Sequence, residues 1–202
     1  VKLIMGLYAP STGTVQYGDV DIKHVSYSAL FTRMSGVFQK YAKYALSLRD
    51  NVAISEFDSM ESDAEIEKVL RKVHVNPNDT GIFPEGLQTM LSREFDGVEL
   101  SGGHWQRIAI ARGMYRGSDL IILDEPTAAI DPIEESHVYE EFARMTEGKT
   151  AVIVTHRIGS AKIADRIVVM QDGGIVEVGT HAQLLANHGV YADMYEAQAK
   201  WY

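Results

Sequence analysis

The chain has 202 residues, 46% hydrophobic and 23% charged, which is enough apolar material for a real core and excludes both a disordered segment and a small cross-linked scaffold. It has no cysteine, so disulfides and thiolate metal sites are excluded, and its 19 basic against 28 acidic residues argue against a nonspecific grip on nucleic acid by summed charge. No apolar run approaches the ~18 to 20 residues that cross a bilayer; Leu120 to Leu123 is typical of the stretches present.

Residue 1 is Val, and the apolar pattern Val1, Leu3, Ile4, Leu7 begins at once, so the sequence reads as the middle of something longer. Val1 to Tyr8 has the spacing of a helix end, stopped by Pro10 and the turn-formers Ser11, Thr12 and Gly13. Thr14 to Val25 alternates around Gly18 and Asp19 as a short hairpin, and Gly36 to Phe38 form a compact strand ending at Gln39. From Tyr41 to about Leu100 the texture is acidic and helical, centred on Asp63 to Val73, and predicts a helical sub-lobe.

Beyond Ser101, strands and helices alternate. Helices are predicted over 102–115, 133–145, 182–186 and 190–200, and strands over 119–123, 150–154, 167–170 and 175–178. Such alternation favours a mainly parallel sheet with helices on its faces. No internal repeat is visible.

Leu120, Ile121, Ile122, Leu123, Asp124, Glu125 is the most informative run. Four consecutive apolar residues suit a strand covered on both faces, and its carboxyl end is where open parallel sheets place ligands. A buried strand ending in a solvated acidic turn would look the same. The chemical reading assigns Asp124 to a magnesium ion through water and Glu125 to the attacking water of a phosphoryl transfer.

Leu100 to Arg107 is the second constellation. Ser101 ahead of a helix with Gly102 and Gly103 in its first turn offers a hydroxyl, backbone N–H groups and a positive dipole end to an anion. An ordinary N-cap explains Ser101 but not two glycines that weaken the helix. Gln39 at a strand end can meet a metal or a water, and His156, two residues past the apolar strand Ala151 to Val154, can meet a phosphate. Either is also an ordinary turn residue or structural histidine.

These elements in this order, with Asp131 and Pro132 after the acid pair, resemble the nucleotide-binding domain of ATP-binding cassette transporters over nearly the whole chain. The resemblance implies an α/β fold of the P-loop NTPase (RecA-like) type. It would have a mainly parallel sheet, a helical signature subdomain at 40–107 inserted between core segments 1–39 and 108–202, and a small antiparallel β part. It makes Gln39 the Q-loop glutamine, Leu100 to Arg107 the signature, Leu120 to Glu125 the Walker B strand, Ala128 to Asp131 the D-loop and His156 the switch histidine. ATP and Mg2+ are the implied cofactors. Gln39 and Asp124 would serve the metal, Glu125 and His156 catalysis. Ser101, Gly102, Gly103, His104 and Asp131 would serve the nucleotide, with the signature acting on ATP held by a second such domain.

His104 stands where the family usually has Gln, and Ala128 where the D-loop usually has Ser. Both bear on rate and affinity rather than on class. Arg93 to Gly97 keeps only part of the glutamate-glycine loop common in exporters. Nowhere does Gly, four residues, Gly-Lys-Ser/Thr occur. Gly148, Lys149, Thr150 imitates its end, but position 143 is Ala and the triplet runs from helix into strand instead of the reverse. In the family a helix like Val1 to Tyr8 follows that loop. The reading is therefore of a fragment lacking the first strand and the phosphate loop, inactive alone, with an uncovered edge beside the Walker B strand and a tendency to aggregate.

Leu48 to Val52 resembles the exporter segment after the Q-loop, and Gly179 to Tyr191 the exporter carboxyl terminus. An exporter implies a transmembrane domain, in the same polypeptide, at the cytoplasmic face of the cell membrane, a second nucleotide-binding domain as partner, and no nucleic acid. The alternative is a soluble DNA-repair or chromosome ATPase, whose head halves are separated by long heptad coils; only about sixty positions lie between Gln39 and Ser101 here, without sustained heptads. Trp105 is expected in the core of the signature helix and Trp201 at a packed or frayed terminus.

Several charge-assisted phosphate contacts at ~1.5 to 3 kcal/mol each are missing, against roughly 4 to 8 kcal/mol for a whole millimolar to micromolar affinity. Calorimetric titration of the 202-residue chain with ATP is expected to give a dissociation constant of about a millimolar or weaker; a micromolar value contradicts this.

Overall fold

The computed structural model describes residues 1–56, 62–125, 138–140, 142–144 and 146–199. They fall into two compact units that divide after Val154.

The first unit is built on a parallel sheet of β3 (Met34–Val37), β4 (Leu120–Asp124) and β5 (Thr150–Val154) in the order β3-β4-β5. The four apolar residues of β4 are all buried, and their period-2 alternation divides them between two cores. Ile121 and Leu123 join the helical core, with Val37, Val52, Ile66, Leu70, Ile108 and Phe142. Leu120 and Ile122 join Met5, Leu30 and Met34 on the opposite face. Full burial of each such side chain contributes about 1.5 to 3 kcal/mol, which explains why a polar residue appears only where the strand ends.

The uncovered edge expected beside the Walker B strand is not there. β4 is the central strand, paired residue for residue with β3 on one side and β5 on the other. A central position follows from burial on both faces, since a strand without a wet face gains most from having no wet edge.

The amino-terminal segment and a hairpin belong to the second core. Val1 to Leu7 make a single helical turn closed by a Schellman arrangement: the Leu7 N–H donates to the Lys2 carbonyl and the Gly6 N–H to the Leu3 carbonyl, with Gly6 at φ 69°. The turn thus stops at Gly6, before Pro10, because only glycine takes that φ without cost. β1 (Gln16–Tyr17) and β2 (Val20–Asp21) pair antiparallel around Gly18 and Asp19, as the alternation predicts. The Tyr17 hydroxyl donates to the Ile4 carbonyl. Helix α1 (Tyr27–Thr32), capped by Ser26, contributes Leu30.

The other face carries α2 (Leu48–Ala53), α3 (Asp63–Lys72) and α4 (Gly102–Tyr115). Ser47, Ser62 and Ser101 each accept a backbone N–H at the start of their helix. In α3 the acids Asp63 and Glu65 lie in the first turn and Arg71 and Lys72 in the last, both favourable to the helix dipole. Near its end α4 touches β3: a Cβ at Gly113 would lie 2.5 Å from Val37 Cγ2, and the Ser35 hydroxyl donates to the Gly113 carbonyl at 2.9 Å. Trp105 is buried in α4 as expected, while Trp201 lies outside the described residues. Of the helix predicted over 133–145, residues 138–140 and 142–144 are helical and the rest lies outside the description.

In the second unit β6 (Ile167–Gln171) and β7 (Gly174–Gly179) pair with each other, antiparallel. Their two-residue loop, Asp172-Gly173, has φ of 50° and 80°, a tight hairpin turn, and a loop that short cannot make the crossover a parallel pair needs. Among the described residues the parallel sheet is therefore confined to β3, β4 and β5. Helices α5 (Ile158–Ala161), α6 (His181–Ala186) and α7 (Val190–Ala199) pack around Ile158, Ile167, Val169, Leu184 and Tyr191. Thr180 and Gln183 form a capping box on α6.

Glu177 of β7 reaches the start of α7, accepting from the Val190 N–H at 3.1 Å and the Tyr191 N–H at 2.9 Å. A carboxylate on orphan N–H groups at a positive dipole end is a charge-assisted cap. Gly189 leaves room for it, since a Cβ there would lie 1.7 Å from Glu177 Oε1. Glu177→Ala is expected to lower unfolding free energy by about 1 to 2 kcal/mol, measured by denaturant titration. An unchanged midpoint would show that the cap contributes nothing.

Candidate functional site

Parallel register sets the acid pair. Val37 lies opposite Leu123, and Asp124 opposite Val154, so the chain leaves all three strands at the same end of the sheet. Gln39 follows β3 there by two residues, Asp124 is the last residue of β4, and Glu125 follows it. The Glu125 backbone is left-handed, φ 49°, while its N–H still donates to the Val154 carbonyl of β5 at 2.9 Å. That conformation costs a residue with a Cβ about 1 to 2 kcal/mol, and such outliers cluster at functional sites. Gln39, Asp124 and Glu125 are thus brought to one sheet end. His156 belongs to the second unit, and Asp131, with Ala128 and Pro132, lies outside the described residues.

The second constellation is the exposed tip of a buried helix. Ser101 caps α4, accepting from the His104 N–H at 3.3 Å, and its hydroxyl lies 2.8 Å from His104 Nδ1. Ser101 and Gly102 are exposed, whereas Trp105, Gln106 and Ile108 are buried. The first-turn N–H groups and the serine therefore face outward from a well-anchored helix, which is what binding an anion requires. A depression of about 460 Å³ beside them is lined by Ile82, Arg93, Val98, Glu99, Ser101 and His104. Burial holds His104 below the usual histidine range, the Arg107 charge adds to this and Asp79 opposes it, so the imidazole is neutral at pH 7. Phe83 meets its ring edge-on.

These two places are far apart in one chain. Gly113 sits against Val37 near the acid pair's end of β3, and Ser101 lies twelve residues earlier on the same helix, about 18 Å along its axis.

Side chains that no local motif marks tie them together. The Tyr41 hydroxyl, two residues past Gln39, donates to the Gly102 carbonyl at 3.0 Å. Arg112 of α4 donates to the carbonyls of Ala42 at 3.2 Å and Asn51 at 2.7 Å and to Asn51 Oδ1 at 3.1 Å, with its guanidinium 4.6 Å over the Tyr44 ring. Asn51, fully buried in α2, gives its amide to the carbonyls of Tyr44, Leu46 and Ser47. Arg112 and its Asn51 partner are 61 residues apart, beyond any periodic signal. Nothing in α2, where Asn51 follows Arg49 and Asp50, sets Asn51 apart in the sequence.

Among the described residues no three His, Asp or Glu side chains form a metal-holding cluster. The oxygen donors of Asp124 and Gln39, on adjacent strand ends, fit a hard cation that takes one carboxylate and completes its shell with water and phosphate. No helix among the described residues is long and apolar enough to cross a membrane.

The family profile described as ABC transporter matches residues 1–128. The subtilin transport ATP-binding protein SpaT of Bacillus subtilis is 34% identical over 199 residues, 98% of this chain and 32% of its own length. The ATP-dependent lipid A-core flippase of Chromohalobacter salexigens is 35% identical over 198 residues, 98% of this chain and 33% of its own. Among solved structures, a bacterial Atm1-family ABC exporter with ATP bound superimposes with TM-score 0.87 at 27% identity, over 98% of this chain and 34% of that one. The chain spans about a third of the length of the curated relatives it matches. The α/β fold of the P-loop NTPase type follows from this superposition together with the parallel sheet.

His104 predicts an acid-side instability. Its folded pKa lies below the unfolded value of about 6.5, so the unfolded chain takes the proton first as pH falls, and stability drops from about pH 6.5 downward until the folded pKa is passed. The melting temperature of His104→Gln relative to the parent should therefore rise as pH is lowered from about 7.5 to 5.5. A difference independent of pH would contradict the partly buried neutral imidazole.

Proposed function

The chain belongs to the ABC transporter family, and on that premise we propose that it is the ATP-binding and ATP-hydrolysing motor domain of an exporter. Relatives named for subtilin transport and lipid A-core flipping favour this over a soluble DNA-repair or chromosome ATPase. A further relative, a probable multidrug resistance ATP-binding/permease protein of Bacillus subtilis, is consistent with a transmembrane domain in the same polypeptide. The location would then be the cytoplasmic face of a membrane.

The observation that carries the mechanism is the separation along α4. Ser101 lies about 18 Å along the helix from Gly113, which packs on Val37 at the end of β3. In the complete protein, with the phosphate loop that this chain lacks, each such domain would hold ATP against its own acid pair and close its serine tip over the nucleotide of a second copy or a paralogous domain. Core segments 1–39 and 108–202 would carry the acid pair, and the subdomain 40–107 the signature. Mg2+, held by Asp124 and Gln39, would neutralise phosphate charge as it develops. Glu125 would orient the attacking water and accept its proton, while His156 would donate to the terminal phosphate. Asp131 would serve the nucleotide. His104 would hold the Ser101 hydroxyl through Nδ1.

Coupling would run through Tyr41 and Arg112. Gln39 senses the metal and phosphate, and the segment behind it is bonded to both the start and the body of α4. A shift of Gln39 on hydrolysis therefore moves the signature tip, opens the dimer and resets the membrane domain.

Glu125→Gln in the full-length transporter is expected to lower ATP turnover at least about a hundredfold while ATP binding persists, checked by phosphate release and nucleotide titration. Undiminished hydrolysis would remove Glu125 from this role.

A further inference from the structure

We propose that Gln198, near the end of α7, is a positioning residue for His156, its side-chain amide clamping the backbone that leaves that histidine, from the His156 carbonyl to the Ile158 N–H. The inference rests on the reading of His156 given above. Gln198 Nε2 donates to the His156 carbonyl at 2.5 Å, and Gln198 Oε1 accepts from the Ile158 N–H at 2.9 Å. The two bonds have opposite polarity, so one amide orientation alone satisfies both. The Thr155 hydroxyl accepts the Arg157 N–H between them at 2.9 Å. Three backbone groups just after the His156 Cα, its own carbonyl and the N–H groups of Arg157 and Ile158, are thus held by side chains.

Nothing local supplies the clamp. Helix α5 begins at Ile158 without a side-chain cap from its own N-cap residue, Arg157, and Gln198 comes from 40 residues away. His156 is exposed, and the backbone that carries its ring contributes to the ring's direction. The clamp in turn stands on a rigid support. α7 is capped by Glu177 and packs Tyr191 into the same core as Ile158, Ile167 and Leu184. In this assignment the carboxyl-terminal helix sets the angle at which His156 meets the terminal phosphate, although Gln198 touches no substrate.

The test uses the full-length transporter. Gln198→Glu keeps an acceptor for the Ile158 N–H but sets an oxygen against the His156 carbonyl; Gln198→Leu removes both bonds. Each should lower kcat for ATP hydrolysis about threefold to tenfold with KM for ATP unchanged. In a His156→Ala background neither substitution should change the residual rate, because the clamp acts through that side chain. Where Gln198→Leu fails to fold, Gln198→Glu carries the same comparison. An unchanged kcat in Gln198→Glu, or an equal loss with and without His156, overturns the proposal. Undiminished hydrolysis in His156→Ala alone overturns the role of His156 itself, and the clamp with it, and is told apart by needing no change at Gln198.

Discussion

Strand β4 is enclosed on every side, and the rest of the first unit is arranged by that enclosure. Its faces are taken by two different cores and its edges by β3 and β5. Leu120 to Leu123 have no position at which a polar side chain could stay hydrated, so the first carboxylate comes where the strand leaves its neighbours. Parallel pairing then brings the ends of β3 and β5 to the same level. The chemistry proposed for Gln39, Asp124 and Glu125 is possible because the sheet ends together.

Helix α4 runs from that end of the sheet to the serine tip. Its last turns are seated on β3 by the missing side chain of Gly113 and by the buried Ser35 hydroxyl, which donates to the Gly113 carbonyl and accepts from the Ser118 hydroxyl. Its first turn projects with Ser101 and two glycines. Between them, Ile108, Ala109, Ile110 and Ala111 are buried, so the helix moves as a body or not at all. A stiff helix with one end in the sheet and an anion receptor at the other suits a device that reports from one nucleotide to another.

The second unit has a different economy. Its short hairpin and three helices share a small core, and its polar contacts are made by side chains that reach another element's backbone: Glu177 on α7, Gln198 on the turn after Thr155. In a small core such fixed polar contacts supply the order that extensive packing gives in the first unit.

What the residues determined alone were features whose cause is local. The double burial of β4 shows as four apolar residues in a row, the serine caps as Ser ahead of a helical pattern, the anion tip as glycines too costly for an ordinary first turn, and the β1–β2 hairpin as alternation around Gly18 and Asp19. Helix α4 and strand β5 have the bounds their sequences predict, α4 because the Ser101 cap marks its start and β5 because its β-branched run favours a strand. Tertiary structure decided what depends on residues far apart in the chain. β4 became the centre of its sheet and not a strand beside an open edge, since pairing order is a property of three segments at once. The Asp172-Gly173 turn set β6 against β7 instead of adding them to the parallel sheet. Arg112 met Asn51, Tyr41 met Gly102 and Gln198 met the backbone of His156 across 40 to 61 residues, where no helix or strand period reaches. Hydrophobic spacing encodes which face of an element is buried; it carries no record of which distant polar group will be waiting there.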